Sequence, residues 1–456
     1  MLFINSCKKI LTGLLFFISL FIILISCDST EPPANISLTL KLEDVSCTEA
    51  WLQLTTNNIQ LPATINFLIN NNVAQILSLS TQDSLLYIDS LLPNQNYSFQ
   101  VSSIQHQESG ISSNKVAATT LDTTSHNFTW QTFEFGQHSS STLYDVAIIN
   151  ENNIWAVGEI YLNDSLGNPD PTAYNSVHWD GQSWELRRIN MLSNCNPVIY
   201  PPLKAIWAFS ENNIVFTSGG SIGWFDGINN RTDCTIRPLL TGSINKIWGS
   251  SNNDLYIVGN SGNIAHYNGT SWSKIESGTT FNLTSISGNN DEVYFSGVNS
   301  FTNEGILLKY KSNSLSVLAN GKIIGANEVF NPFLYGEFQT VCLIDNTLLL
   351  GGNFLYQFKF NRWNYVKSLP ENFVNGNPNG SIRGFIYSIT ANNGNDIIIS
   401  GDRNTLLHFN GIEWLQLGEP YDPLSNTSHR STKIQNNIVV TVGFKGNKAM
   451  IMKLVR

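Results

Sequence analysis

Three histidines occupy equivalent positions in near-identical stretches of the sequence, and histidine is a common metal ligand and proton carrier near neutral pH. The stretches are His178-Trp-Asp-Gly181 with Trp184, His266-Tyr-Asn-Gly269 with Trp272, and His408-Phe-Asn-Gly411 with Trp414. Each ring belongs to a different repeat unit, so we expect the three imidazoles to lie far apart. Two further units carry Trp224 and Lys309 at the same position. We therefore interpret the histidines as framework residues and predict no metal site from them.

A second set of side chains that could do chemistry lies in or beside five long segments: 159–174, 190–202, 320–338, 368–384 and 418–429. The candidate ligand-binding residues are Tyr161, Asp164, Asp170, Tyr174, Tyr200, Phe330, Phe333, Tyr335, Arg383, Tyr421, Asp422 and Arg430. Aromatic rings beside carboxylates suit the recognition of sugars or peptides. The acidic pair Asp164 and Asp170 is also a candidate calcium site. The alternative, that each aromatic ring only fixes its own loop, stays open.

Seven repeats supply the elements that would position these segments. Each has a polar turn followed by an apolar strand that ends in a small residue, and such self-similarity indicates a repeat fold. The repeats are Asn152-Asn-Ile-Trp-Ala-Val-Gly158, Asn212-Asn-Ile-Val-Phe-Thr-Ser-Gly219, Asn253-Asp-Leu-Tyr-Ile-Val-Gly259, Asp291-Glu-Val-Tyr-Phe-Ser-Gly297, Asn346-Thr-Leu-Leu-Leu-Gly351, Asp396-Ile-Ile-Ile-Ser-Gly401 and Asn437-Ile-Val-Val-Thr-Val-Gly443. The terminal glycines lie 38 to 61 residues apart, which suits four-stranded blades with loop insertions.

The two ends of the repeat region predict how the ring of blades closes. After Gly443 a single strand remains at 449–455, and a Trp-led strand at 128–135 precedes the first repeat. Trp130 matches the Trp that follows the Asp-Gly and Asn-Gly hairpin turns, so we expect this strand to complete the last blade. The paired ends would leave no open boundary. The predicted fold of 127–456 is a seven-bladed β-propeller closed by pairing of its N- and C-terminal strands.

The repeats resemble a widespread group of secreted bacterial propellers with a Trp-Ala-Val-Gly … His-Tyr-(Asp or Asn)-Gly-x-x-Trp consensus. They are more distantly similar to the photosystem II assembly factor and to Asp-box propellers. This resemblance covers 127–456 and implies a fold rather than an activity. In a propeller the long segments emerge on one face, because they are second-to-third-strand or blade-to-blade connections. Insertions confined to one face are typical of a binding face.

Enzyme motifs are scarce: the sequence contains no nucleophile elbow, P-loop or HExxH motif. A sialidase-like hydrolase would need clustered arginines, and only Arg383 and Arg430 fall where a central funnel would lie. The stretch Asn268-Gly-Thr-Ser-Trp272 is a fragment of an Asp box. We predict a non-enzymatic protein without a cofactor, whose loop-bearing face binds a glycan or a protein. The alternative is a propeller-fold glycan-cleaving enzyme, either a hydrolase or a lyase.

The first 26 residues have the features of an export signal. Lys8 and Lys9 precede an uncharged apolar stretch at 10–26, as in secretory signal peptides. Its end, Leu24-Ile25-Ser26-Cys27, resembles the lipobox of bacterial lipoproteins. The resemblance implies cleavage before Cys27 and lipidation of that residue, which anchors the chain to a membrane through a tether at 27–35. An uncleaved transmembrane anchor is the alternative. Both place the rest of the chain in the cell envelope, facing the periplasm or the cell exterior.

The remaining cysteines fit an oxidising compartment and show no spacing typical of zinc sites. Cys195 and Cys234 lie in irregular polar sequence and are a candidate disulfide. We expect Cys47 and Cys342 to be small hydrophobic residues in or beside strands.

Residues 36–121 alternate apolar and polar side chains in short strands, which predicts a β-sandwich. Trp51 lies in the middle of an early strand, and Leu91-Leu-Pro-Asn-Gln-Asn-Tyr97 has the pattern of a tyrosine corner. On these residues the module resembles a fibronectin type III domain. The resemblance implies that Trp51 and Tyr97 are core residues without a functional role, and we interpret the module as a spacer.

Composition and charge limit the class of partner. Charged residues make up 13% of the chain and hydrophobic residues 42%, as in globular proteins. The net charge is −9, and Arg187-Arg188 is the longest basic cluster outside the N-terminus, so no basic stripe is available for phosphates. The sequence therefore argues against a nucleic-acid partner and predicts an envelope-anchored recognition or scaffold protein.

Overall fold

A computed structural model describes residues 36–103, 110–192, 196–322, 334–366 and 384–456. The chain forms two compact units, Met1–Thr120 and Leu121–Arg456, and strands dominate the described part of both. Within these ranges no helix is long and apolar enough to cross a membrane. The expected export signal, Cys27 and the tether lie outside the described residues.

The first unit contains two antiparallel sheets around one apolar core. One sheet has the order β1-β2-β5, with β1 at Ser37–Val45, β2 at Ala50–Asn57 and β5 at Asp83–Ile88. The other has the order β4-β3-β6-β7, with β3 at Ala63–Ile69, β4 at Asn72–Leu79, β6 at Asn96–Ser103 and β7 at Val116–Thr119.

Of the two aromatic residues predicted to lie in the core of this unit, Tyr97 packs against the core and Trp51 does not. The two-residue period of β2 points Leu52 into the core, so Trp51 falls on the opposite face, half-buried, with its ring 5.6 Å from that of Tyr87. The prediction that Trp51 is a core residue is therefore wrong. Tyr97 packs against the core, and its hydroxyl oxygen accepts a 2.9 Å hydrogen bond from the backbone N–H of Leu92.

The described residues of the second unit form six antiparallel sheets of four strands and one such sheet with a fifth, parallel strand. Sheet 1 contains β9 (Thr142–Asn150), β10 (Asn153–Ile160), β11 (Tyr174–Trp179) and β12 (Trp184–Arg187). Sheet 2 contains β15 (Ala205–Ser210), β16 (Asn213–Ser218), β17 (Ser221–Phe225) and β18 (Asn230–Asp233). Sheet 3 contains β19 (Ile244–Ser251), β20 (Asp254–Gly259), β21 (Ile264–Tyr267) and β22 (Trp272–Lys274). Sheet 4 contains β23 (Asn282–Gly288), β24 (Glu292–Asn299), β25 (Glu304–Lys311), β26 (Ser314–Lys322) and a short parallel addition, β27 (Leu334–Tyr335).

The last three sheets complete the series. Sheet 5 contains β28 (Phe338–Ile344), β29 (Thr347–Gly352), β30 (Leu355–Lys359) and β31 (Arg362–Tyr365). Sheet 6 contains β32 (Ile386–Asn393), β33 (Asp396–Gly401), β34 (Leu406–Phe409) and β35 (Trp414–Gln416). Sheet 7 contains β36 (Thr427–Gln435), β37 (Ile438–Lys445), β38 (Lys448–Val455) and β8 (Thr129–Phe135). The other described elements are a two-stranded ribbon, β13 (Met191–Leu192) with β14 (Val198–Ile199), and two short 3-10 turns, Arg237–Leu239 and Asn260–Gly262.

The sheets follow one another around a central channel, in the arrangement of a β-propeller. Their first strands contact each other in a closed cycle, β9–β15–β19–β23–β28–β32–β36 and back to β9. A separate apolar core lies between each neighbouring pair of sheets. Because both faces of each second strand are covered, those strands are nearly continuous apolar runs. β38 pairs with β8 from Ala449–Phe135 to Val455–Thr129, so the predicted pairing of the two ends is confirmed.

Six of the seven first strands contain, near their start, a residue that the second strand does not pair. In six sheets the pairing register skips one residue near the start of the first strand: Tyr144, Asn245, Thr284, Gln339, Tyr387 and Arg430. In sheet 2, Lys204 directly precedes β15, and its N–H donates to the carbonyl of Thr217 at 2.7 Å. A β-bulge leaves the extra residue unpaired and re-aims its side chain. All seven line the channel where the first strands begin, and we call them the mouth residues.

A glycine of the second strand stands opposite the residue that precedes each skipped position. These glycines are Gly158, Gly259, Gly297, Gly352, Gly401 and Gly443. At all of them except Gly297, an added Cβ would lie within 2.2 Å of a backbone carbonyl oxygen of the adjacent first-strand segment. In five sheets the small residue at this position is therefore required by the close approach of two backbones. In the fifth repeat the equivalent glycine is Gly352 rather than Gly351.

One buried carboxylate joins four sheets at the channel wall. The Oδ1 atom of Asp145 on β9 accepts hydrogen bonds from the Nζ of Lys246 at 2.7 Å and from the hydroxyl of Ser431 at 2.6 Å. Its Oδ2 atom accepts the backbone N–H of Ile206 at 3.1 Å. Burial alone would raise the pKa of Asp145, but Lys246, Lys433 and the hydrogen bonds outweigh it and hold the pKa below its usual value.

We expect Gly401→Ala to destabilise the second unit by about 1–3 kcal/mol, because its Cβ would stand 2.1 Å from the carbonyl oxygen of Phe385. The matched control is Gly394→Ala in the same sheet, where an added Cβ would lie 3.6 Å from the nearest atom, an oxygen of Asp345. Denaturant unfolding followed by tryptophan fluorescence measures both, since all tryptophans except Trp51 belong to the second unit. Equal stability of the two variants would contradict the close-approach argument.

We expect Asp145→Asn to cost about 3 kcal/mol at pH 7, because Lys246 would lose its buried partner. A carboxyl with a lowered pKa stabilises the fold above its unfolded pKa of about 4 and stops doing so as the pH falls through its folded value. The difference from wild type should therefore shrink in acid, as measured by unfolding at pH 7 and pH 3. Asp291→Asn, at an exposed loop position, is the control; a neutral effect of Asp145→Asn would disprove the bridging role.

Candidate functional site

The central channel is a cavity lined by polar side chains from all seven described sheets of the second unit. Its volume is about 570 Å³, and all seven first strands contribute to its wall. Cavities of roughly 300–1,000 Å³ are typical of ligand sites. The first strands begin at the same edge at which the second strands end. The connection 159–174 leaves that edge, so the mouth opens on the face that sequence analysis predicts to be the binding face.

The mouth residues divide into two arcs of different chemistry. Tyr387, Arg430, Tyr144 and Lys204 come from the consecutive sheets 6, 7, 1 and 2, and they alternate aromatic and cationic side chains. The opposite arc consists of Asn245, Thr284 and Gln339 from sheets 3, 4 and 5 and is neutral and polar. We call the first of these the cationic arc. Such an arrangement suits a ligand with a negative group on one side.

Close contacts between rings and cations order the cationic arc. The guanidinium carbon of Arg430 lies 4.2 Å from the ring centre of Tyr387 and 5.3 Å from that of Phe444. The Nζ atom of Lys204 lies 3.5 Å from the ring centre of Tyr144. These distances are in the range of cation–π interactions, which hold the charges without neutralising them.

Glu159 fixes one part of the cationic arc by accepting hydrogen bonds from two tyrosines. The hydroxyl of Tyr144 donates to one of its carboxylate oxygens, and the hydroxyl of Tyr161 donates to the other at 2.7 Å. The hydrogen bond to Glu159, together with burial, raises the pKa of Tyr161 to about 12. Burial and the same carboxylate raise the pKa of Tyr144. Both phenols therefore stay protonated at physiological pH and fix the position of the Tyr144 ring.

A second set of residues lies three positions further along each first strand, and we call it the inner ring. Its members are Ala147, Trp207, Trp248, Ser287, Cys342, Thr390 and Lys433, of which all but Ala147 line the channel. Lys433 is the one charged member, with its Nζ atom 5.3 Å from the ring centre of Trp207. Burial, reinforced by the charge of Lys246, lowers the pKa of Lys433 to about 8. Burial raises the pKa of the free Cys342 thiol to about 11.

The structure brings two of the sequence-predicted binding residues to the mouth: Arg430 as a mouth residue and Tyr161 through Glu159. Three others, Asp164, Asp170 and Tyr174, lie in or beside the connection that follows β10. Arg188 forms a 2.5 Å ion pair with Asp170 and lies 4.1 Å from the ring centre of Tyr174.

The calcium prediction does not fit this connection. One oxygen of Asp164 accepts the backbone N–H groups of Leu166 and Asn168, which shapes its own turn. Asp170 is paired with Arg188 and also accepts the N–H of Thr172. Within the described ranges no group of three or more His, Cys, Asp or Glu side chains could hold a metal ion.

The other predicted binding residues are dispersed or lie outside the described residues. Tyr335 is buried between sheets 4 and 5, with 2% exposure, so its placement on an open face was wrong; its strand β27 adds to sheet 4. Tyr421 packs against the core between sheets 5 and 6, and Asp422 accepts the N–H of Leu424 within its own turn. Tyr200 is exposed. Phe330, Phe333 and Arg383 lie outside the described residues.

The repeated histidines bind the start of the second strand of their own sheet. The Nε2 atom of His178 lies 3.1 Å from the side-chain oxygen of Asn153, that of His266 2.7 Å from Asp254, and that of His408 2.9 Å from Asp396. In sheet 4, Lys309 takes the position and pairs with Glu292 at 2.8 Å. These contacts are those of framework residues.

The cysteines are placed as follows. Cys234 is disulfide-bonded, but Cys195 lies outside the described residues, so its pairing with Cys234 stays a prediction. Cys47 is buried in the first unit, and Cys342 lines the channel.

Sequence reasoning missed most of the channel: Tyr144, Lys204, Asp145, Lys246 and Lys433 are all outside the predicted set. A signal for them exists at the start of the first strands, where apolar residues are spaced by three instead of two. Examples are Leu143 with Val146, Ile244 with Ile247, Leu283 with Ile286, and Ile386 with Ile389. The residue after the first apolar position is in each case the mouth residue.

Comparisons with known proteins bear on the fold. No protein-family model matches the chain, and no curated protein matches it. Among solved structures, "YCF48 bound to D1 peptide" is 14% identical with a TM-score of 0.50, covering 72% of this chain and 95% of its own. YCF48 from Cyanidioschyzon merolae is 14% identical with a TM-score of 0.46 (72% and 98% covered), and the WD40 β-propeller domain of Doa1 is 12% identical with a TM-score of 0.43 (72% and 97% covered). At such identities the first of these likenesses shows the fold alone: the chain contains a β-propeller.

Proposed function

We propose that this chain is a non-enzymatic recognition or scaffold protein that binds a protein segment at the channel mouth. The observation that carries the proposal is the cationic arc, in which two cations and two aromatic rings lie in or directly before the first strands around one opening. Strand-borne side chains are preorganised, which lowers the entropic cost of binding. In YCF48, which shares the fold, a bound peptide is part of the solved structure. A glycan ligand is the alternative occupant of the same face.

The channel supports binding better than glycan cleavage. Hydrolysis of a glycosidic bond ordinarily uses two carboxyl groups about 5–10 Å apart. Asp145 is the single carboxylate among the described residues that line the channel, and Lys246 pairs with it. The non-enzymatic part of the proposal rests on this arrangement.

We propose the same whole-chain organisation that the sequence suggests. Seven strands in the sheets β1-β2-β5 and β4-β3-β6-β7, with the Leu92–Tyr97 hydrogen bond, support a fibronectin type III-like spacer. The closed cycle of seven first strands supports a propeller of seven blades. The lipobox-like Cys27 supports a lipid anchor in the bacterial cell envelope, and the disulfide at Cys234 is compatible with an oxidising compartment.

We expect the double variant Lys204→Gln, Arg430→Gln to weaken binding of a selected peptide at least tenfold, because both charges of the cationic arc are removed. Peptides are selected with the full chain from a displayed random library, and a glycan array is screened in parallel. Arg187→Gln, on an exposed outer strand, is the control. Ligands found on the glycan array alone would refute the protein-segment proposal, and cleavage of any bound ligand, followed by mass spectrometry, would refute the non-enzymatic one.

We expect Cys27→Ser to abolish incorporation of a labelled fatty acid and to leave the precursor uncleaved, since the thiol accepts the lipid. Metabolic labelling in a bacterial host, with membrane fractionation, measures both effects. Cys47→Ser is the control, because Cys47 is buried in the folded first unit. Labelling that persists in Cys27→Ser would rule out the lipobox interpretation.

A further inference from the structure

The channel carries the opposite charge to the chain as a whole. The chain has a net charge of −9, yet the charged groups among the described lining residues are Lys204, Lys246, Arg430, Lys433 and one carboxylate, Asp145. Lys246 is paired with Asp145. Among the described residues the other three cations form no ion pair; the charge of Glu159 acts on Lys204 and that of Asp402 on Arg430 from outside the channel lining. A concave site lined by one sign of charge concentrates ions of the opposite sign.

Lys433 is the least compensated of these cations. The polar, charged and ring groups that face it are Asp145 on β9, Trp207 on β15, Lys246 on β19, Cys342 on β28 and, on its own strand, Arg430 at the mouth. The sole carboxylate in that set already binds Lys246 and Ser431. An enclosed ammonium without a partner of its own lowers the stability of the fold. A charge that is kept despite that penalty is typical of a binding site.

The depth and size of the channel limit what can reach Lys433. A volume of about 570 Å³ admits a short chain segment or a side chain but no folded domain. The mouth offers rings and hydrogen-bonding groups to the neutral part of such a segment, and the inner ring offers one cation. One ammonium matches one carboxylate, whereas a phosphate is usually met by several donors or by arginine.

We propose that the channel binds a carboxylate group of an acidic peptide segment, with Lys433 as its counter-ion and Arg430 and Lys204 guiding it at the mouth. This inference rests on the proposed function, because it assumes that the ligand is a protein segment. The carboxylate comes either from an acidic side chain or from a chain terminus, and the test below separates these two sources.

Isothermal titration calorimetry on the full chain in detergent tests the inference with three tetrapeptide probes. They are acetyl-Gly-Gly-Gly-Glu-amide, acetyl-tetraglycine with a free carboxylate, and the neutral acetyl-Gly-Gly-Gly-Gln-amide. We expect at least one acidic probe to bind tenfold or more tightly than the neutral one, and the identity of that probe names the source. Equal affinity for all three, or no binding by either acidic probe, overturns the inference.

Variants of Lys433 assign the effect to this residue. We expect Lys433→Met to reduce the affinity for the acidic probe at least tenfold while raising the thermal midpoint of unfolding, because an enclosed unpaired charge is removed. Lys433→Arg should keep the binding, and Lys448→Met, at an exposed ion pair with Glu134, should leave it unchanged. Wild-type affinity in Lys433→Met overturns the inference even if the variant is fully folded.

The pH dependence gives an independent readout. With a pKa of about 8, Lys433 loses its proton as the pH rises from 7 to 9, so binding by the wild type should weaken over that interval. Lys433→Arg stays charged and should bind equally at both pH values. A lysine with a lowered folded pKa destabilises the fold below that pKa, and the penalty disappears as the pH rises from about 8 toward its unfolded value. The stability gap between wild type and Lys433→Met should therefore narrow from pH 7 to 9.

The two proposals fail in different ways. If library peptides bind wild type and Lys433→Met equally, the protein-segment function stands and the carboxylate inference is wrong. If neither the library peptides nor any of the three probes binds, the protein-segment function is wrong and the carboxylate inference falls with it.

Discussion

The geometry of the second unit depends on the close approach of the first two strands in each sheet. In six of the seven described sheets the first strand skips one residue near its start, and it does so beside a glycine. At five of the six glycines a Cβ would come within 2.2 Å of a carbonyl oxygen. Only hydrogen fits there, so glycine recurs through most repeats. The unpaired residue has no such constraint, because its side chain leaves the ladder and faces the channel. The same bulge therefore requires a glycine on the second strand and leaves the side chain of the unpaired residue available to contact a ligand.

Two of the mouth residues are cations, and further charged residues line the channel beside them; the fold compensates these charges only in part. Asp145 links sheets 1, 2, 3 and 7 through Ile206, Lys246 and Ser431. It neutralises Lys246, yet Lys433 remains enclosed without a partner of its own. Lys204 and Arg430 lie against aromatic rings, which hold a cation in place while leaving its charge available. At Lys433 the charge that favours an anion in the channel therefore lowers the stability of the fold. At Asp145 the charge pairs with Lys246 and stabilises the fold.

The sequence allows prediction of the repeats and of most glycines that end them, because these depend on contacts between residues close in the chain or on a period of two. The closing strand pairs with distant residues, since Trp130 lies opposite Leu454, but its likeness to the other Trp-led outer strands predicts its place. The channel could not be assigned in the same way. Asp145 and Lys246 are 101 residues apart, and their ion pair exists only because the first strands of sheets 1 and 3 face one opening. Tyr335 and Trp51 were misplaced because a ring in an irregular segment, or in the middle of a strand, does not reveal which face it will take.

The long connections and the channel also differ in what their polar groups are free to do. In the connection after β10, Asp164 holds its own turn and Asp170 holds Arg188, so these carboxylates stabilise the loop that carries them. The mouth residues instead take their positions from the strands, and their charged groups are not needed to define the backbone. Such a side chain can be replaced with little loss of folding stability, because the fold positions it without depending on its contacts. At the mouth, the residues available to contact a ligand are therefore not the residues that stabilise the fold. In the inner ring this no longer holds, because the charge of Lys433 lowers the stability of the fold.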